Sequence, residues 1–168
     1  MRTRRQFLKV LAEPVAVRST TTVDLSANAE TVWNFMWDPG SAPVLNPDTE
    51  IGITVPGTPG GQIGEVQAFV GRADGQRFGS MLEVEELLPF RRAVTRDICS
   101  PFDQGGILSI DPLTGESCRL TQELYLVLPA GHAYEDVDTY RLPQTNYLMR
   151  LRLRLIDVFG EPGSARLE

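Results

Sequence analysis

The sequence predicts an α+β domain in which a curved antiparallel β-sheet wraps around a long C-terminal helix and leaves a hollow between them. Three features of the 168 residues point there: a period-two strand running into a capped helix over residues 15–38, a series of alternating segments divided by turn residues from 51 to 128, and a last run over 144–159 whose apolar residues recur at helical spacing.

In the first strand Val15, Val17, Thr21, Val23 and Leu25 alternate with Arg18, Thr20, Thr22 and Asp24, which gives one dry face and one wet face. A helix over 27–38 follows. Ser26 is placed to accept a first-turn N–H, Glu30 sits at the positive end of the dipole, and Pro39 cannot continue the helix. Ala29, Val32, Trp33 and Met36 fall on one stripe, so one face packs against something large. Trp33 reads as a core aromatic and Trp37, at the helix end, as the rim of a cavity.

Residues 40–50 are polar and broken by proline, with room for a short helix at most. Strands are then expected at 51–55 and, after a loop at 56–61, at 62–72, closed by the Asp74-Gly75 turn. Residues 77–87 put Phe78, Ser80, Leu82 and Val84 on one face and Glu83 and Glu85 on the other, and Pro89 ends the strand. Residues 92–99 form the next candidate, 101–106 read as a break, and 107–110 are a short apolar run. From 119 to 128, Leu120, Gln122, Leu124, Leu126 and Leu128 share one face. Such strands joined by turns make an antiparallel meander.

The tail is ambiguous by pattern. Leu151-Arg-Leu-Arg-Leu155 alternates like a strand, whereas Leu148, Leu151, Leu155, Val158 and Phe159 repeat like a helix. Leu, Met and Arg favour helix, Gly160 and Pro162 supply a stop, and Pro143 marks the expected start. Arg152 falls at the edge of the apolar stripe, so it faces inward or lays its stem over the core.

Length and a 42% hydrophobic content fit one domain, at 15–159, with an N-terminal extension 1–14 and a tail 160–168. A net charge of −6 without a basic stripe argues against nucleic acid as a partner. Cys99 and Cys118 form no C-x-x-C pair and read as reduced thiols of a cytoplasmic protein. The start, Arg2 to Lys9, resembles a twin-arginine export motif, but Glu13, Pro14 and Arg18 interrupt the apolar run that export needs. No stretch is long enough to span a membrane. His132 is the only histidine, which excludes a two-histidine metal site, and no nucleophile elbow exists; neither metal nor cofactor is expected. The glycines of Pro59-Gly-Gly-Gln-Ile-Gly64 lack the Lys and Ser/Thr of a phosphate loop and read instead as a lip of the hollow.

Polar residues on inward faces are the candidates for chemistry, since a few convergent polar groups suffice to orient a ligand in dry surroundings. Gln122 shares its face with leucines, and Ser80 shares its face with Phe78 and Leu82. Arg96 and Asp97 are adjacent on one strand, so one faces in if the other faces out. Val94 and Ile98 favour Arg96 inward. A buried Asp97 would serve as general acid or base, and a buried Arg96 would hold a ligand carboxylate. Arg152, if inward, is a second anchor for an acid group. Trp37, Phe78, Ser80, Leu82, Leu124, Tyr147, Leu151, Arg152 and Leu155 are expected to touch the ligand, and Tyr134, Tyr140 and Tyr147 lie on the approach to the last helix. If instead Phe78, Leu124, Met149 and Leu151 filled the interior, a partner-binding module would be favoured.

Val23, Ser26-Ala-Asn-Ala-Glu-Thr-Val-Trp33, Asp38-Pro39, Glu83-Val-Glu-Glu-Leu-Leu-Pro-Phe-Arg-Arg92, Gly115, Cys118-Arg-Leu-Thr-Gln-Glu123 and Leu128-Pro-Ala-Gly131 together resemble the SRPBCC, or START and Bet v 1-like, superfamily over about residues 15–159. The resemblance implies a helix-grip fold whose cavity holds a lipid, polyketide, steroid or other apolar molecule. It also implies Asp97, rather than Arg96, as the inward residue after the Pro-x-Arg-Arg turn. Some members carry ligands, and others, the aromatic polyketide cyclases among them, promote enolisation, aldol closure or dehydration. The expectation is therefore an apolar-ligand protein, monomeric or homodimeric, with polyketide cyclase or dehydratase-like activity, the alternative being a non-catalytic carrier or sensor. Residues 1–14 and the long 131–143 segment depart from the family pattern.

Overall fold

In a computed structural model, which describes residues 9–73, 75–134 and 136–163, the order of elements follows the expected strand, helix, meander and helix. The strands are β1 (Lys9–Val10), β2 (Val15–Leu25), β3 (Thr49–Thr54), β4 (Val66–Ala73), β5 (Gln76–Leu88), β6 (Arg92–Asp97), β7 (Asp103–Pro112), β8 (Cys118–Leu128) and β9 (Ala133–Tyr134). The helices are α1 (Ala29–Trp37), α2 (Ala42–Leu45) and α3 (Asp138–Phe159), with a 3-10 turn over Pro39–Ser41. Seven strands form one antiparallel sheet in the order β2-β8-β7-β6-β5-β4-β3, so the first strand closes beside the last of the meander. The outcome is the α+β helix-grip fold, a curved sheet holding one long helix.

Several local expectations are corrected. The N-cap of α1 is Asn28, whose Oδ1 accepts from Thr31 N at 2.8 Å, and the helix covers 29–37. Ser26 lies two residues ahead of the cap, since the helix starts only at Ala29; its backbone N–H donates to Gly160 O, 3.1 Å away, which pins the start of α1 to the end of α3. The last helix begins at Asp138, not at Pro143. Pro143 is the sixth residue of α3, so the bond that an N–H there would give Thr139 O is missing; Thr145 Oγ1 donates to Arg141 O at 3.1 Å in the same stretch. Residues 62–65 belong to the loop and β4 starts at Val66.

The expected break at 101–106 is the first half of β7, and its glycines have a packing reason. A Cβ on Gly105 would lie 1.9 Å from Thr95 O and 2.8 Å from the Tyr125 hydroxyl, so the β6–β7 approach requires glycine. The Arg2–Lys9 motif, apart from Lys9, and Asp74 of the predicted turn lie outside the described residues; Gly75 has the positive φ of +77° that such a turn requires.

Lys9–Val10 pairs with Ala133–Tyr134. This small ribbon covers a cluster of Leu11, Val17, Leu126 and Leu128, against which Tyr134 and Tyr140 pack. The main core lies between β2, β7, β8 and the two long helices, where Leu25, Val32, Ile110, Cys118, Leu120 and Leu155 have no exposed surface. Among the described residues no helix is long and apolar enough to cross a membrane.

Candidate functional site

A partly open cavity of about 500 Å³ lies between the inner face of the sheet, the C-terminal end of α1 with the turn after it, and α3. Its walls follow from strand alternation. On β5, Phe78, Ser80 and Leu82 face in; the register sets Leu82 between Gln67 of β4 and Asp97 of β6, and Ser80 beside Phe69. On β6 and β7, Ala93 and Thr95 lie beside Leu108 and Gly106, and on β8 Gln122 and Leu124 continue these rows. Small residues at Ser80, Ala93 and Gly106 leave the space that larger ones would fill. From the helices come Trp37, Gln144, Tyr147 and Leu151.

Asp97 is the inward member of its pair. Its Oδ2 accepts from Gln104 Nε2 at 3.0 Å and its Oδ1 from Cys99 N at 2.9 Å. Arg96 is on the outer face, held by Glu85 at 2.7 Å and Glu83 at 3.3 Å, and these carboxylates raise its pKa further. The two acids of β5 thus settle what periodicity left open. Arg152 is also outside: it is exposed, with Glu161 Oε1 3.9 Å away. Its guanidinium stays in water because the helix face beside it is turned away from the sheet.

Of the other expected ligand contacts, Trp37, Phe78, Ser80, Leu82, Leu124, Tyr147 and Leu151 line the cavity, and so does Gln122. Leu155 does not; it is fully buried in the main core one turn beyond Leu151. Met149 is 60% exposed and closes nothing. Tyr134 and Tyr140 belong to the second cluster, where Tyr140 O–H and His132 Nε2 are 2.7 Å apart, so only Tyr147 of the three tyrosines reaches the cavity. Burial pushes the Tyr147 phenol above the ordinary tyrosine pKa, partly offset by the nearby Arg150.

One arrangement escaped sequence reading. Glu65, only 1% exposed, sits behind the wall and accepts from three donors: Trp37 Nε1 at 3.3 Å, Gln67 Nε2 at 2.8 Å and the backbone N–H of Gly61. Gln67 Nε2 also donates to Trp37 O at 3.0 Å. This network fixes the Trp37 indole, which stacks on Trp33 with ring centres 5.3 Å apart. Gln67 and Gln104 were legible in principle, since each is a polar residue at an inward position of its strand. Glu65 gave no signal because the strand expected over 62–72 begins only at Val66, which leaves Glu65 at the end of a loop. Among the described residues no three His, Cys, Asp or Glu side chains gather as a metal site would require.

No family model and no curated protein matches the sequence. Solved structures do match the fold. A START superfamily protein from Mycobacterium smegmatis superposes with a TM-score of 0.69 at 18% identity, over 84% of this chain and 96% of that one. The Zhui aromatase/cyclase of a Streptomyces species gives 0.67 at 18% identity, over 86% and 93%. Norcoclaurine synthase from Thalictrum flavum, solved with dopamine and hydroxybenzaldehyde, gives 0.60 at 13% identity, over 87% of each chain. At these identities the likeness establishes the START and Bet v 1-like fold.

Proposed function

We propose that this protein encloses an apolar, polyketide- or lipid-like small molecule in the cavity between α3 and the sheet, and acts on it as a cyclase or dehydratase. The supporting observation is the hollow itself, about 500 Å³ walled by Trp37, Phe69, Phe78, Leu82, Leu124 and Leu151 with a few amides and the carboxylates of Asp38 and Asp97 among them. That size and mixture suit a compact organic ligand oriented by a handful of polar groups. The aromatase/cyclase among the similar structures supports a cyclising use of the same frame.

In this reading Asp97 is the acid–base group. It would take a proton from a carbon flanked by carbonyls and return one to a departing hydroxyl, while the Gln122 amide holds a carbonyl oxygen. A second reading, a non-catalytic carrier, is favoured by one observation: both Asp97 oxygens already accept hydrogen bonds, from Gln104 and from Cys99 N, as a purely structural turn cap would.

Native mass spectrometry of protein purified from its source tests binding, with Gly106→Leu as the control. A Cβ on Gly106 points at the ends of Gln122 and Leu124, 3.1 and 3.6 Å away, so the variant fills the cavity without a backbone clash. The expected result is a small molecule of a few hundred daltons retained by the wild type and absent from the variant; an empty wild-type protein counts against the proposal. With a poly-β-carbonyl thioester as substrate, Asp97→Asn should abolish product formation if the chemistry is as stated. Unchanged turnover in the variant removes Asp97 from the chemistry, and no turnover by the wild type leaves the carrier.

A further inference from the structure

We infer that the cavity selects a ligand that is uncharged or cationic and carries O–H or N–H donors, and that it rejects carboxylates and phosphates. This rests on the reading that the cavity binds a small molecule. It sharpens that reading by naming the charge and hydrogen-bonding class of the guest.

Charge comes first. Among the described residues the lining holds no Lys, Arg or His, whereas Asp38 and Asp97 are both part of it. Glu65 adds a third carboxylate directly behind Trp37 and Gln67. The arginines that sequence reading placed as anchors for an acid group, Arg96 and Arg152, face solvent and sit beside acids of their own. Arg150, next to Tyr147 on α3, has Asp48 3.8 Å away. An anion entering this space would give up its hydration and meet no cation, a cost that a neutral molecule avoids and an ammonium group recovers beside Asp97.

Hydrogen-bonding capacity points the same way. Gln144 lines the cavity from α3, and its Oε1 is buried without any donor. A buried carbonyl oxygen left in that state is costly, and a hydroxyl or N–H on the guest would satisfy it. Gln67 has spent both of its amide hydrogens, on Trp37 O and Glu65 Oε1, so what remains for the cavity is its carbonyl oxygen. Asp97 only accepts. Gln104 and Gln122 each have one N–H committed, to Asp97 Oδ2 and Glu123 O, and keep one neutral donor. With the Ser80, Tyr125 and Tyr147 hydroxyls and the Gln144 amide also in the lining, the wall offers neutral donors and acceptors but no cation, and the buried Gln144 Oε1 is the acceptor that a donor on the guest would satisfy.

The test uses three probes that share one ring system: 2-naphthol, 2-naphthylmethylammonium and 2-naphthoate, titrated by calorimetry into the full-length protein at pH 7. The expected result is that naphthoate binds at least about tenfold more weakly than the other two, reflecting an anion desolvated without a partner. Gln144→Met should weaken 2-naphthol about fivefold, the usual worth of one hydrogen bond, and Asp97→Asn should erase much of any advantage of the ammonium over the naphthol. Thermal unfolding of each variant establishes that it is folded. Naphthoate binding as tightly as naphthol overturns the selectivity and leaves cavity binding standing. Failure of all three probes to bind overturns both. Selectivity that survives intact in Gln144→Met and Asp97→Asn also overturns the inference, because it then arises from other groups.

Discussion

The two halves of the sheet meet their helices in different ways. Along β2, β8 and the adjoining part of β7, inner residues such as Val23, Leu25, Ile110 and Leu120 are at most 2% exposed, sealed under Leu148, Leu151 and Leu155 of α3. Across β4, β5 and β6 the corresponding face carries Phe69, Ser80 and Leu82, all half-buried, and Phe78, which is 37% exposed. Helix α3 packs along β2 and α2, toward one side of the curved sheet, so its apolar stripe covers that side and stops short of the other. The hollow is thus a consequence of where one helix docks and of three small side chains beneath it, with the sealed half supplying the stability that the open half gives up.

Truncations on the two sides should show the largest contrast. Leu120→Ala, at a site without exposed surface, should cost about 2–5 kcal/mol in chemical denaturation, because the cavity left behind cannot collapse. Leu82→Ala should cost roughly 1 kcal/mol, since it widens a space that already exists. Equal losses would mean that the open wall is packed as tightly as the core.

The neighbouring glycines of β7 divide the same way on a smaller scale. Gly105→Ala drives a methyl into Thr95 O on the outer side of the strand and should destabilise by about 1–3 kcal/mol. Gly106→Ala, pointing into the hollow, should stay within roughly 0.5 kcal/mol. A reversed order would mean that the inner and outer faces of β7 are exchanged.

The least effect concerns pH. The Tyr147 phenol, at the junction of sealed and open halves, has its pKa raised by burial, so the folded state binds its proton more tightly than the unfolded chain does. Stability from this group is fully present below the unfolded tyrosine value near 10 and is lost as pH rises from there through the folded value. Cys118, also raised by burial, loses stability in the same direction from about pH 9, its ordinary value. Tyr147→Phe should reduce the loss above pH 10 while leaving the share of Tyr125, which burial also raises, and the Cys118 part; an unchanged profile places the phenol in water.

Most of the frame was legible because it depends on period. Alternation in β2, β5 and β8 and the recurrence of Leu148, Leu151 and Leu155 are properties of one chain segment each, readable without neighbours. The errors came where a partner decided. Gly105 and Gly106 read as a break because the sequence does not show that Thr95 and Tyr125 press on one of them. Pro143 read as a helix start because proline usually is one, whereas here it falls in the second turn of α3. In the site, Gln122 and Leu124 followed from the pattern of β8, but the choice between Arg96 and Asp97 rested on Glu83 and Glu85, one strand away in space. Glu65 was invisible for the same reason, since its three donors come from a helix, a loop and a strand.

That carboxylate ties together parts of the chain with different duties. The same Oε2 accepts from the Trp37 indole at the wall and from the amide of Gly61 in the loop between β3 and β4. A visitor that rotates the tryptophan must therefore disturb the loop's own anchorage. The amide of Gly61 is in effect a gauge wired to the interior, and its hydrogen-exchange rate should register arrivals and departures without any label being attached.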